Sequence, residues 1–269
     1  MKNSLLLLAT ALLFIANACQ KNDPATDPNA EAAAMQSIRD YLTGTYGFSP
    51  ESIEETPEAF IVEGDQMFPK ANFWENYGVS SPNEFFVDAA HEEGTAGERK
   101  HYRSSYLVTS TPWKIKVNIF PSTPQSWRDA IYDAIDEWND LDGRFLFEPM
   151  GVAYQVDGAI NIMTNDLLPN NVVAQATYPT SNGKPGSPIL LNSHHNSLNA
   201  SKKLFAVVHE IGHCISIRHT DKGFGTLITN VSNTCKNNGD PNSVMRSFVD
   251  FWEGFSNCDE EAYQALYPD

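Results

Sequence analysis

Basic side chains are scarce in this chain: 18 lysines and arginines stand against 34 acidic residues, a formal charge of -16. That balance argues against nucleic acid or an anionic membrane surface as a partner. Past the first residues there is no second apolar run of membrane length, which argues against a stable transmembrane anchor. Cysteine is equally sparse, with four in 269 residues. None sits in a recognisable nucleophile setting, so cysteine catalysis is a poor reading. Histidine occurs only seven times, so any regular spacing of histidines carries information.

The first eighteen residues read as an export signal, to be removed from the mature chain. Lys2 gives a positive start, Leu5 to Ile15 are almost continuously apolar, and Ala16-Asn17-Ala18 is a small-residue cleavage site. Cleavage there leaves Cys19 first, followed by a polar, acidic spacer, which resembles a bacterial lipoprotein. The expected location is therefore the outer membrane, through a lipid on Cys19, or the extracellular space. An exported chain can form disulfides. Cys214, Cys235 and Cys258 are an odd number, so one pair and one thiol are expected, with all three pairings open.

The informative stretch is Val208-His209-Glu210-Ile211-Gly212-His213, which begins inside an apolar segment and continues to His219. On a helix, positions four apart share a face, so His209 and His213 point the same way and offer two legs of a zinc site. Glu210 beside them is placed to take a proton from a water on the metal. A bare pattern of this kind arises by chance in about one such chain in a hundred. His219 would lie ~9 Å further along a continuing helix. It joins the site only if the helix stops near Ser216 and the chain doubles back.

This arrangement resembles the metzincin zinc peptidases at every fixed position but one, Ser216 standing where the family has glycine. The words His-Glu-Ile-Gly-His-Cys and Arg-His-Thr-Asp also look like the bacterial dual-action HEIGH metallopeptidases. The resemblance spans residues 106–269. It implies an α+β fold with a twisted, mixed five-stranded sheet, an antiparallel edge strand lining the cleft, an active-site helix, a methionine turn beneath the metal and a closing helix. Met245, in Ser243-Val244-Met245, is the expected turn methionine. Ser247 stands where astacins have a tyrosine ligand. The resemblance also implies one catalytic Zn²⁺ held by His209, His213 and His219.

Within that frame, Trp113–Phe120, Phe145–Phe147 and Ala159–Met163 read as strands. A helix is expected from Thr123 as cap with Pro124 at its first position, and another at Asn257–Leu266. Ile189, Leu190 and Leu191 are the expected edge strand, with Gln175–Tyr178 as the alternative. A free edge lets an extended polypeptide substrate add as a further strand. His194 and His195, adjacent on a loop, read as surface residues.

Residues 19–105 read as a tether and a propeptide. Val62-Glu63-Gly64-Asp65 resembles the astacin pro-segment motif whose aspartate blocks the zinc, which makes Asp65 the candidate inhibitory ligand and the propeptide the chain's own inhibitor. Gly97–Lys100 is a candidate cleavage point. The expected function is a secreted or lipid-anchored zinc endopeptidase made as a zymogen, with Glu210 as general base. The alternative is a catalytically inactive zinc-binding or peptide-binding protein of the same fold.

Overall fold

The computed structural model describes residues 28–78, 99–110 and 113–269. The expected signal peptide, Cys19, the tether up to residue 27 and the first half of the Gly97–Lys100 site lie outside the described residues. Two units are distinguished, divided after Ser37. The described part of the first is helical, the opening of α1 (Pro28–Gly44). The second unit is Ile38–Asp269.

It begins with the rest of α1, where Ile38 and Leu42 are buried one turn apart. A small antiparallel sheet follows, built from β1 (Ile53–Glu55), β2 (Ala59–Val62) and β3 (Gln66–Pro69) in that order. All four residues of β2 are buried, so the apolar run reads as a covered strand. Then comes the short helix α2 (Phe73–Tyr77). Phe68 is the centre of an aromatic cluster, with ring centroids 5.2 Å from Tyr46, 5.7 Å from Phe48 and 5.1 Å from Tyr77. Offset and edge-on contacts of this kind are each worth about 0.5–1.5 kcal/mol beyond area burial.

The main sheet contains β5 (Lys114–Ile119), β6 (Leu146–Met150), β7 (Ile160–Asn165), β8 (Ala174–Gln175) and β9 (Ile189–Asn192), in the order β6-β5-β7-β9-β8. All pairs are parallel except β8 with β9. The crossover from β5 to β6 is α3 (Gln125–Asp140), which buries Trp127, Ile131, Ile135 and Trp138 on one face. The cap of α3 lies one residue later than expected: Pro124 caps it, and the Thr123 hydroxyl makes no cap bond. On β5, Ile115, Val117 and Ile119 are buried while Lys114 and Lys116 are exposed, as the alternation requires. Asn118 departs from it, because the loop after β6 covers that face. Its Oδ1 accepts from Val152 N, and its amide donates to Asn161 Oδ1.

The expected edge strand is corrected here. Ile189, Leu190 and Leu191 lie in β9, inside the sheet between β7 and β8, and β9 runs parallel to β7. The antiparallel edge is β8, so the alternative at Gln175 was nearer. A strand apolar on successive positions is what a sheet interior covered on both faces demands. β8 has only two paired residues, too few to show any period.

The chain continues through α4 (Ala200–Cys214), which packs on α3, the Trp138 indole N–H donating to Val208 O at 3.2 Å. After β10 (Thr226–Leu227) and the short α5 (Asn233–Asn237), the unit closes with α6 (Asn257–Leu266), where Ser256 and Asp259 form a capping box. β10 pairs with β4 (Tyr102–Arg103), and Ser104 N donates to Ser216 O. Residues 101–104, expected with the N-terminal segment, are thus built into the later half. No helix among the described residues is long and apolar enough to cross a membrane.

Candidate metal centre

Asn199 starts α4, its side chain accepting from Ser201 N. The helix carries His209 and His213 on one face and ends at Cys214. Ser216 then adopts φ +85°, the left-handed region. Ser216 N donates to His213 O, and Ile217 N reaches back to Gly212 O at 2.9 Å, which is the Schellman termination. The chain therefore doubles back, and His219 comes to face the other two histidines. A non-glycine residue in this conformation costs about 1–2 kcal/mol. Here serine brings compensation that glycine lacks: its buried hydroxyl donates to Tyr106 O at 2.7 Å and lies 2.8 Å from the Ser104 hydroxyl.

The three imidazoles converge through their Nε2 atoms. His219 Nε2 is 3.2 Å from His209 Nε2 and 3.3 Å from His213 Nε2. Each Nδ1 has its own acceptor: Val244 O at 2.8 Å for His209, Ile217 O at 2.7 Å for His213, and Glu63 Oε2 at 2.9 Å for His219. With Nδ1 carrying the proton, the Nε2 lone pairs of His209 and His213 point at one shared spot.

Asp65 also reaches that spot. Its Oδ2 is 3.0 Å from His219 Nε2 and 3.5 Å from His209 Nε2, while Oδ1 is 3.9 Å from His213 Nε2. Burial alone would raise the Asp65 carboxyl. The charge of His219, the close contacts with the His209 and His219 rings, and the charge of His213 outweigh it and hold the group well below the usual carboxylate range. Burial likewise opposes charge on His219, but Asp65 and then Glu63 push it up to about 10. His213 is driven the other way, by burial and then by the charges of His209 and His219.

The donor set fits zinc. Nitrogens around a tetrahedral ion at 2.0–2.1 Å are separated by ~3.3–3.4 Å, close to the spacing observed. Asp65 Oδ1 and Glu210 Oε2 are buried without any hydrogen-bond partner, which an acidic pair does not tolerate unless a cation or water completes it. Burial, then the charge of Asp65, raises Glu210 well above the usual carboxylate range.

Beneath the cluster lies Met245, buried beside Gly212. A Cβ at Gly212 would stand 2.5 Å from Met245 Sδ, so glycine is required for this close approach. The edge strand is not bare. Ala176 N donates to Asp65 O at 2.9 Å, and Met67 N donates to Ala176 O at 2.6 Å. Residues 65–67 are therefore added to the edge as a short parallel strand, through the bridge Gln66 to Ala176. Beside it a cavity of about 330 Å³ opens, lined by Val172, Val173, Phe205, Glu210 and Phe248 among others.

Other residues lie elsewhere. His194 and His195 donate to the carbonyls of Asp166 and Asn170 and hold that loop. Ser247 is bonded to Asp221, outside the histidine cluster. Cys235 pairs with Cys258, and Cys214 is a buried thiol. A second buried cluster was not foreseen: His101 Nε2 donates to Asp259 Oδ1 at 2.8 Å, and Asp259 also accepts from the Ser243 hydroxyl and Val244 N. Since Val244 O receives His209 Nδ1–H, Asp259 holds the turn that holds the first histidine. Partners 158 residues apart leave no trace in local spacing.

A family model described as dual-action HEIGH metallo-peptidase matches residues 86–243. Among solved structures, the chain is similar to two of myroilysin, at 16% and 13% identity, covering 61% and 71% of this chain and 98% of each of those, with TM-scores of 0.39 and 0.40. It is also similar to high choriolytic enzyme 1, a hatching enzyme zinc-protease from Oryzias latipes (Medaka fish), at 12% identity and TM-score 0.41, covering 60% of this chain and 93% of that one. No curated protein matches.

Proposed function

The chain belongs to the dual-action HEIGH metallo-peptidase family and is a zinc metallopeptidase, and on that premise we propose that it is an endopeptidase using His209, His213 and His219 as zinc ligands and Glu210 as general base. Bound there, zinc would acidify a water and polarise the scissile carbonyl. The protein's own residues do the rest. Val244 O and Ile217 O fix the tautomers of His209 and His213. Glu210, its proton affinity raised by burial, accepts the proton of the attacking water and returns it to the leaving amine. The β8 edge supplies backbone groups for an extended polypeptide, and the cavity beside Glu210 receives a side chain.

The observation that carries the reading is the convergence of three imidazoles across a helix end, His219 Nε2 lying 3.2 Å from His209 Nε2 and 3.3 Å from His213 Nε2, next to a buried carboxylate. Glu210→Gln is expected to keep zinc and lose about 10²–10⁴-fold in peptide hydrolysis. Retained turnover would remove Glu210 from the mechanism.

The chain is also read as a zymogen. In support of this reading, Asp65 Oδ2 stands 3.0 Å from His219 Nε2, where it would displace an attacking water, and residues 65–67 bond to Ala176 beside the β8 edge. Cleavage at the expected Gly97–Lys100 would release them and leave in the mature chain His101–Ser104, which are bonded to Asp259, Arg218 and Ser216. N-terminal sequencing of active enzyme tests this; a start near Cys19 would refute removal. Export, by the leader and a lipid on Cys19 or by plain secretion, accords with the Cys235–Cys258 disulfide.

A further inference from the structure

Two of the three imidazoles are oriented by backbone carbonyls next to the metal helix. The third is oriented by a side chain more than 150 residues away. Glu63 Oε2 accepts His219 Nδ1–H at 2.9 Å, with the Glu63 side chain 2% exposed. Glu63 is itself held, since Gln66 Nε2 donates to the same oxygen at 3.0 Å and Tyr178 O–H anchors Gln66 Oε1. It is also held at a cost: Glu63 has φ +54° in the turn between β2 and β3, where asparagine or glycine would be at ease. A strained glutamate at that point makes sense if its carboxylate is what the turn is built to deliver.

We propose that Glu63 is a positioning residue for the zinc centre, so that the segment carrying Asp65 into the site also tightens the site's hold on the metal. A carboxylate on the far nitrogen of a ligating histidine fixes its ring and makes Nε2 a better donor. The inference rests on the zinc reading above and adds to it: the N-terminal segment both occupies the site and supports it. Release of that segment leaves His219 as the one ligand without its outer partner, and the mature enzyme holds zinc more weakly than the intact chain.

The test is zinc affinity of the intact chain, measured by competition with a chromogenic chelator. Glu63→Gln keeps the size and removes the charge; Glu63→Asn tolerates the left-handed turn, so folding does not decide the result. Both are expected to weaken zinc binding about 10–100-fold, while Glu55→Gln, on the outer face of the same small sheet, stays within about twofold. Nitrogen-detected NMR should show His219 Nδ1–H strongly deshielded in the wild type and shifted in both variants. Unchanged affinity in Glu63→Gln and Glu63→Asn overturns the proposal. If His209→Ala and His213→Ala bind zinc as tightly as wild type, the zinc reading itself falls, which is a separate outcome.

Discussion

Two buried histidine–carboxylate contacts frame this molecule, and they differ in how they are held. His101 meets Asp259 and His219 meets Glu63, each pair joining residues more than 150 positions apart. The first is fixed on both sides: Asp259 sits in the capping box of α6 and accepts from Ser243 and Val244, while His101 adjoins a strand paired with β10. The second depends on a three-residue turn between two short strands. The first contact holds His209 through Val244 O; the second holds His219. The difference teaches that one metal site can rest on two kinds of support, one from the turn before α6 and one from the turn between β2 and β3.

The comparison is broken most severely at Asp259. Asp259→Ala leaves His101 and the N–H of Val244 buried without an acceptor, and is expected to destabilise the chain by about 3–5 kcal/mol in urea unfolding. Removing Glu63 should do far less to folding and more to zinc. Gly212→Ala comes next: its methyl would meet Met245 Sδ at 2.5 Å, an overpacking worth about 1–3 kcal/mol that pushes the turn off His209.

Acid sharpens the same contrast. Burial opposes ionisation of Asp259, but His101, Ser243 and Val244 N hold its carboxyl below the usual range. The unfolded chain therefore binds that proton more readily. The contribution is complete above the unfolded value of about 4 and is lost as pH falls from there towards the lower native value. Asp259→Asn should flatten this acid limb of the stability profile.

The smallest effect is expected at Ser216. Ser216→Gly relieves φ +85° but gives up the hydroxyl bonds to Tyr106 O and Ser104; the two terms are similar, so stability should change by less than about 1 kcal/mol. Ser216→Ala keeps the strain, loses the bonds, and should cost about 1–3 kcal/mol. Thermal unfolding of the pair separates the terms.

Much of this was legible in the sequence. Spacing alone aligned His209 and His213, and the need for a reversal near Ser216 followed from His219. The closing helix matches its expected bounds because Ser256 and Asp259 cap it. Sheet order was not legible: Ile189–Asn192 and Ala174–Gln175 are both short, and only tertiary packing decides which is interior. Nor was Glu63. It stands two residues before Asp65 in the motif that drew attention, yet its role exists only once β2 and β3 bring it under His219.

Diffraction at the zinc absorption edge tests the central claim most directly. The account requires one anomalous peak in the intact chain, about 2.0–2.2 Å from Nε2 of His209, His213 and His219 and from an oxygen of Asp65. A peak at His101 and Asp259 instead, or none among the three histidines of the helix and its return, would contradict it.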